Sequence, residues 1–348
     1  MYKIGVWGQF GDGGKIADGQ AVRTTIITNE LCRRYGDSEV KTVNTNAWKK
    51  QPLRFLISSI SLLRKSEVFI IAPADNGFKV FVPILDFFNR LFKSKILYVV
   101  IGGFLPGLLR AKPRYIKMVN KFSGVFVQTE NILNDLEKLG VQHLNILSNP
   151  KRLNTRNEND VILNTDKYVN VCVFSRIYAD KGVEDAIDAV NIANDVLGGQ
   201  FIKLDLYGLV PAFYKERLKE LTKKNEGIVC YKGIIDYDKT VETLKKYFVM
   251  LFPTYYHGEG FPGNVIDAYN SALPMIATDW LYNSDVVLDG KTGLIVPVKN
   301  PQELANAILQ LYNDRELQLE FARNSLKEAL KYDPDVVLSS FYKLIDSL

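Results

Sequence analysis

At 348 residues, with 47% hydrophobic, 11% aromatic and 24% charged side chains, the chain has the composition of a soluble globular protein and the length of two domains. Disorder, collagen-like repeats and disulfide scaffolds are excluded, and no apolar run reaches the ~18–20 residues that a spanning helix needs. The start, MYKIGVWGQF, enters a strand with no basic segment leading into a long apolar one. Cys32, Cys172 and Cys230 lie far apart in apolar contexts and read as reduced, buried thiols, so a cytoplasmic protein is expected.

The net charge of +5 conceals an asymmetry. Residues 1–150 hold 21 Lys and Arg against 11 Asp and Glu, a balance of +10; residues 151–348 hold 23 against 28, a balance of −5. A basic half suggests an anionic partner. Its cations follow no nucleic-acid-binding motif, so nucleic acid is not expected. An anionic membrane is the other candidate. Arg110, Lys112, Arg114, Lys117 and Lys121 stand among Leu108, Leu109, Tyr115, Ile116, Met118 and Phe122, a mixture that suits a helix lying peripherally on lipid. A solvated basic helix face would read the same way.

In chain order, a strand at 3–7 leads into a glycine-dense loop, Gly8 to Gly19, and a helix over 20–35. Strands then alternate with helices: strands at 40–44, 68–72, 96–101, 124–128 and 144–147, helices at 53–65, 81–92, 112–122 and 131–139. After a polar stretch, 151–167, the alternation restarts. Strands are expected at 169–174, 202–207, 228–231, 248–252, 275–277 and 293–296, with helices at 183–196, 213–224, 239–246, 264–271, 301–312 and 316–332. Apolar strands alternating with helices predict parallel sheets covered on both faces, whose ligands bind at the carboxyl ends of the strands. Two doubly wound domains follow, over 1–150 and 151–348.

Three loops of the second half carry chemistry. Phe174-Ser-Arg-Ile-Tyr-Ala-Asp-Lys-Gly182 sets Arg176 and Lys181 at a helix start, where fixed cations and free amides suit a multiply charged anion. Pro253-Thr-Tyr-Tyr-His-Gly-Glu-Gly-Phe-Pro-Gly-Asn-Val-Ile-Asp267 lets the backbone approach a ligand, and Glu259 and Asp267 bracket that seat with carboxylates suited to sugar hydroxyls. Gly208 and Tyr231 end two further strands and suit a flat base.

In this order, these segments resemble the retaining glycosyltransferases of family four. The resemblance implies the GT-B architecture, two Rossmann-like doubly wound parallel-sheet domains with a cleft between them, closing over a nucleotide-sugar donor. The first domain takes the acceptor and the second the donor, with the last helix, near 335–348, crossing back to the first. Arg176 and Lys181 match the family's diphosphate-binding pair, and Glu259 and Asp267 its two-carboxylate motif, although the family usually has Glu at the second place. By the same resemblance Glu259 holds sugar hydroxyls, and Arg176, Lys181 and Glu259 are the catalytic set. Donor contacts are expected from Gly14, Gly19, Gly208, Tyr231, His257, Gly260, Phe261, Pro262, Gly263, Asn264 and Asp267. Many relatives carry a histidine after the fourth strand; here Gly102 and Gly103 take that place on the acceptor side, and His143 reads as structural.

The reaction implied moves a hexosyl group, with retention, from a nucleotide sugar (UDP by family habit) to a saccharide acceptor. The basic, apolar-flecked first half fits a lipid-linked one, as in polysaccharide or cell-envelope glycan assembly. No cofactor and no metal are expected, since the two cations and a helix N-terminus can stabilise the leaving diphosphate. Asp236/Asp238 and Asp333/Asp335 read as helix caps. A silent sugar-nucleotide-binding subunit, or a phosphorylase or sugar-phosphate synthase, would share the architecture. A dinucleotide oxidoreductase fits poorly, because Gly8-x-x-Gly11-x-Gly13 is not GxGxxG and Asn44 stands where an acidic residue is wanted.

Overall fold

A computed structural model describes residues 1–10, 19–49, 51–152 and 155–348. The chain divides into two compact units, Met1–Lys151 with Tyr332–Leu348, and Arg152–Lys331.

The first unit runs β1 (Tyr2–Gly8), α1 (Gly19–Tyr35), β2 (Val40–Asn44), α2 (Pro52–Lys65), β3 (Ser66–Ile71), α3 (Asp75–Phe92), β4 (Lys95–Val99), α4 (Leu105–Ala111), α5 (Ile116–Val119), β5 (Gly124–Val127), α6 (Glu130–Glu137) and β6 (Leu144–Ile146). Its six strands pair in parallel in the order β2-β1-β3-β4-β5-β6. Strands rich in Val, Ile and Phe bury both faces under helices, as expected of such a sheet.

The second unit repeats the plan: β7 (Val169–Phe174), α7 (Val183–Leu197), β8 (Ile202–Tyr207), α8 (Lys215–Lys224), β9 (Val229–Gly233), α9 (Thr240–Leu244), β10 (Met250–Phe252), α10 (Asn264–Asn270), β11 (Met275–Thr278), β12 (Gly293–Val296), α11 (Pro301–Asn313) and α12 (Arg315–Ala329). Its order is β12-β11-β10-β7-β8-β9, again parallel throughout. From β7 the chain winds one way through β8 and β9, then returns to place β10 on the other side of β7. The loops after β7 and β10 therefore diverge at a topological switch point, where sheets of this type hold ligands.

The chain ends with α13 (Pro334–Val337) and α14 (Ser339–Ser347), both in the first unit. Leu338, Phe341, Tyr342 and Ile345 join Ile4, Val6, Leu97, Val99 and Phe126 in one core. Phe341 meets Phe126 edge to face at 4.7 Å between ring centroids. Asp346 accepts bonds from Lys3 (3.1 Å), Arg34 (2.9 Å) and the Tyr35 hydroxyl (3.0 Å). Phe341→Ala is expected to destabilise the first unit by about 3–5 kcal/mol, seen as an earlier unfolding transition on thermal or urea denaturation.

Several expectations are corrected. The helix expected over 112–122 is broken: α4 starts at Leu105 with Pro106 in its first turn, Pro113 opens a short 3-10 turn, and α5 spans four residues. Leu109, Tyr115 and Phe122 are buried while Arg110, Lys112, Arg114, Lys117 and Lys121 are exposed, so this segment is a solvated basic face over a buried apolar one. α3 begins six residues earlier than expected, at Asp75. Cys230 is exposed on β9, an edge strand; Cys172 is buried and Cys32 half-buried.

Candidate active site

The loops after β7 and β10 are stitched together by their backbones. Gly182 ends the first with φ +71°, and a methyl group on it would strike the Pro253 carbonyl of the second. The Tyr255 N–H donates to the Asp180 carbonyl at 2.9 Å, and the Asn264 amide donates to the Phe174 carbonyl at 2.7 Å. Glycine at 182 is therefore dictated twice, by conformation and by space.

This seam brings Lys181 and Glu259 together, 78 positions apart, with Nζ 2.5 Å from Oε2 and both side chains more than 90% buried. The Thr254 hydroxyl donates to the same oxygen at 3.0 Å, and the Thr254 carbonyl is held by the Thr278 hydroxyl of β11. Burial pushes the Lys181 ammonium below the ordinary lysine range and Arg176 adds to this, while Glu259 opposes it. A buried ion pair is a poor source of stability, because desolvating both charges offsets most of their attraction. The pair stands at the switch point, where sheets of this type hold ligands.

Arg176 is exposed and has no carboxylate partner among the described residues. Its guanidinium carbon stands 5.9 Å from the Tyr256 ring centroid and Lys181 Nζ 4.7 Å from it, so one aromatic ring attracts both cations. Trp280 anchors the main chain beneath that ring by donating to the Tyr256 carbonyl at 2.8 Å. Tyr178 meets Tyr256 edge to face, and burial pushes its hydroxyl up to about 12, so it is protonated and able to donate at neutral pH.

The other expected donor contacts of the second unit lie at or beyond the carboxyl ends of β8, β9 and β10. Gly260, Phe261 and Pro262 are buried and lead through Gly263 into α10, whose N-terminus no side chain caps. Asn264 Oδ1 is buried without a partner. Asp267 is the more enclosed of the two carboxylates, 3% exposed against 8% for Glu259. His257 is exposed, its ring 4.9 Å from that of Tyr256. Gly208, at φ +140°, has no room for a methyl against the Ser175 carbonyl, and its carbonyl accepts the Tyr231 hydroxyl at 2.8 Å, so Tyr231 presents a fixed ring.

In the first unit, Gly14 falls outside the described residues and Gly19 opens α1. Gly102, at φ +79°, donates its N–H to Gln128 Oε1 at 3.0 Å, and Gly103 precedes α4. Arg23 is buried and donates to the carbonyls of Val100 and Leu147, at 2.7 and 2.5 Å, and burial pushes its guanidinium down to about 9. His143 is exposed at φ +56°. Asp333 caps α13 by accepting from the Asp335 N–H, but Asp236 pairs with Lys239 rather than capping. Among the described residues no group of three or more His, Cys, Asp or Glu is placed to hold a metal ion, and no helix is long and apolar enough to cross a membrane.

Sequence reasoning missed Thr254, Tyr256, Thr278 and Trp280. Thr254 and Tyr256 stand inside a loop already singled out, but nothing in their spacing distinguishes them. Thr278 ends β11 and Trp280 follows it, and their bonds to the Thr254 and Tyr256 carbonyls depend on β11 pairing beside β10.

Comparisons with known proteins bear on the family and the fold. The family described as glycosyl transferases group 1 matches residues 155–328, half of the chain. An uncharacterized glycosyltransferase of Methanocaldococcus jannaschii is 25% identical over 317 residues, 86% of this chain and 73% of its own length. The N,N'-diacetylbacillosaminyl-diphospho-undecaprenol alpha-1,3-N-acetylgalactosaminyltransferase of Campylobacter jejuni is 24% identical over 269 residues, 75% of this chain and 67% of its own. Among solved structures, Anabaena HepE in complex with UDP superposes with a TM-score of 0.74 at 15% identity, each chain covered in full. The two parallel six-stranded sheets are those of the GT-B fold. With its fold, its family match and its named relatives in accord, the chain belongs to the group 1 glycosyl transferases and is a transferase enzyme.

Proposed function

We propose that the protein transfers a hexosyl group, with retention of configuration, from a UDP-sugar to a lipid-linked saccharide. The observation that carries this reading is the pair of cations, Arg176 and Lys181, both against the Tyr256 ring, with Lys181 paired to Glu259, at the switch point of the second sheet. In transfer, the bond between the anomeric carbon and the diphosphate breaks, and negative charge grows on the leaving oxygens. Arg176 and Lys181 are preorganised to meet that charge, and the uncapped start of α10 adds backbone dipoles. Glu259 then grips hydroxyls of the donor sugar through Oε1, while Asp267 serves the ribose. Tyr231 and Gly208 offer the base a flat seat, with Gly260, Phe261, Pro262, Gly263 and Asn264 shaping the phosphate pocket. The acceptor oxygen bonds to the anomeric carbon on the face the diphosphate leaves, and its proton passes to a departing phosphate oxygen.

Gly102 and Gly103 are assigned to the acceptor side by the same reading. A lipid-linked acceptor is supported by the name of the Campylobacter relative, and a uridine nucleotide by the UDP crystallised with HepE. Because the side chains named supply the positive potential, transfer is expected to continue undiminished in EDTA; a loss of rate restored by Mg2+ would assign the role to a metal.

The proposal is tested by a thermal-shift screen of nucleotide sugars, followed by turnover of the best binder. A UDP-sugar is expected to raise the melting temperature and to be slowly hydrolysed or transferred. Binding without turnover would identify a silent subunit, and a sugar phosphate serving as the preferred acceptor would identify a synthase.

The state of Lys181 gives a pH dependence. Only its protonated form attracts the diphosphate, and its pKa in the free protein lies below the ordinary 10.5. UDP affinity therefore falls as pH rises through that lowered value, while an ordinary lysine is still charged. Titration calorimetry at rising pH measures the decline, and Lys181→Arg, whose guanidinium stays charged, is expected to flatten it.

A further inference from the structure

Two neighbouring helices of the first unit leave apolar side chains uncovered. On α2, Leu53 and Ile57 are 75% and 68% exposed; on α3, Phe87 and Leu91 are 63% and 71% exposed. Each pair lies four residues apart, on one helical face. Leu56, Ile60, Ile84 and Phe88 line the groove between the helices, so the two stripes meet in one apolar surface. Each helix also has an inward apolar face, Phe55, Leu62 and Leu63 on α2 and Phe78, Val82 and Leu85 on α3, which already fixes it to the sheet. The outward stripe is surplus to folding. Single exposed hydrophobic residues are ordinary, but a stripe continued across two helices marks an interaction surface.

The surrounding charge identifies the partner. α2 carries Arg54, Arg64 and Lys65, all exposed, and no carboxylate. The two carboxylates of α3 are engaged: Asp75 with Lys79 at 2.8 Å, and the buried Asp86 with Arg90 at 3.1 Å and Lys121 at 2.5 Å. Lys93 and Lys95 follow, both exposed. A second copy docked symmetrically on this face would oppose like charges, whereas anionic headgroups neutralise them while the acyl boundary accepts the apolar chains.

We propose that the α2–α3 face docks on an anionic lipid bilayer, with Leu53, Ile57, Phe87 and Leu91 entering the interface. The basic segment at 110–121, whose apolar residues are turned inward, contributes charge at most. None of these residues belongs to the second unit, so the inference stands apart from the donor chemistry.

Co-sedimentation of the full chain with vesicles tests it without donor or acceptor. The protein is expected to pellet with phosphatidylglycerol-containing vesicles at ~0.1 M salt, less at ~0.5 M, and weakly with phosphatidylcholine alone. The combined variant Leu53→Ser, Ile57→Ser, Phe87→Ser and Leu91→Ser, altered only at exposed positions, is expected to bind at least about tenfold more weakly with an unchanged thermal transition. Arg54→Gln with Arg64→Gln and Lys65→Gln should also weaken binding and flatten its salt dependence. Failure of the wild-type chain to pellet would overturn the proposal, as would wild-type binding by the apolar variant or equal binding to neutral vesicles. A dimer in sedimentation velocity that the same serine substitutions dissociate would assign the face to a second copy instead.

Discussion

Lys181→Ala is expected to lower kcat for sugar transfer by about 100-fold or more, since one fixed donor aimed at developing negative charge is typically worth roughly 3 kcal/mol. The same change strips Glu259 of its cation, and an orphaned buried charge of this kind destabilises by about 3–5 kcal/mol. Activity alone would therefore confuse chemistry with folding. Glu259→Gln separates the two. It breaks the same ion pair and brings a comparable loss of thermal stability, yet it leaves the ammonium in place. UDP affinity is expected to collapse in Lys181→Ala and to stay within a few-fold in Glu259→Gln, while transfer slows in both because Glu259 grips the sugar. Calorimetric titration with UDP beside initial-rate measurements reads this pattern, and equal loss of UDP affinity in both variants would make the pair a structural strut.

Arg176→Ala gives the second large effect, without that complication. Arg176 is exposed, has no carboxylate partner among the described residues, and holds its guanidinium near the Tyr256 ring. Removing it should leave the unfolding transition within about 0.5 kcal/mol of the wild type. It should nonetheless lower kcat/KM by about 10- to 100-fold, because its charge is aimed at the diphosphate. Arg176→Lys keeps a point charge but loses the planar fork, so an intermediate rate is expected. A folded Arg176→Ala variant working at the wild-type rate would remove this residue from the clamp.

What the sequence could reveal here divides along physical lines. Strands β7, β8 and β12 fall on their expected residues, because short stretches of alternating or continuous apolar residues, such as Val171 and Val173 or Leu204 and Leu206, carry a local strand signal. α4 was illegible because Pro106 and Gly107 read as breakers, although proline is tolerated in a first helical turn, where its missing N–H has no partner to lose. The early start of α3 was hidden by Asn76-Gly77, a turn signal that the tertiary contacts of Phe78 and Phe81 override. In the site, Arg176, Lys181 and Glu259 stood out because charged residues in glycine-rich loops at strand ends have few structural duties. Their mutual placement did not, because it depends on β10 returning to the side of β7. The outward stripe on α2 and α3 was equally hidden, since apolar periodicity does not tell which face the core takes.

The central claim is that Arg176 and Lys181 form one clamp for a departing diphosphate. A crystal structure with a bound UDP-sugar tests it most directly. The account predicts phosphate oxygens within hydrogen-bonding distance, about 2.7–3.2 Å, of Lys181 Nζ and the Arg176 guanidinium, with the sugar against Glu259. A diphosphate seated elsewhere, with the Lys181–Glu259 pair untouched, would contradict it.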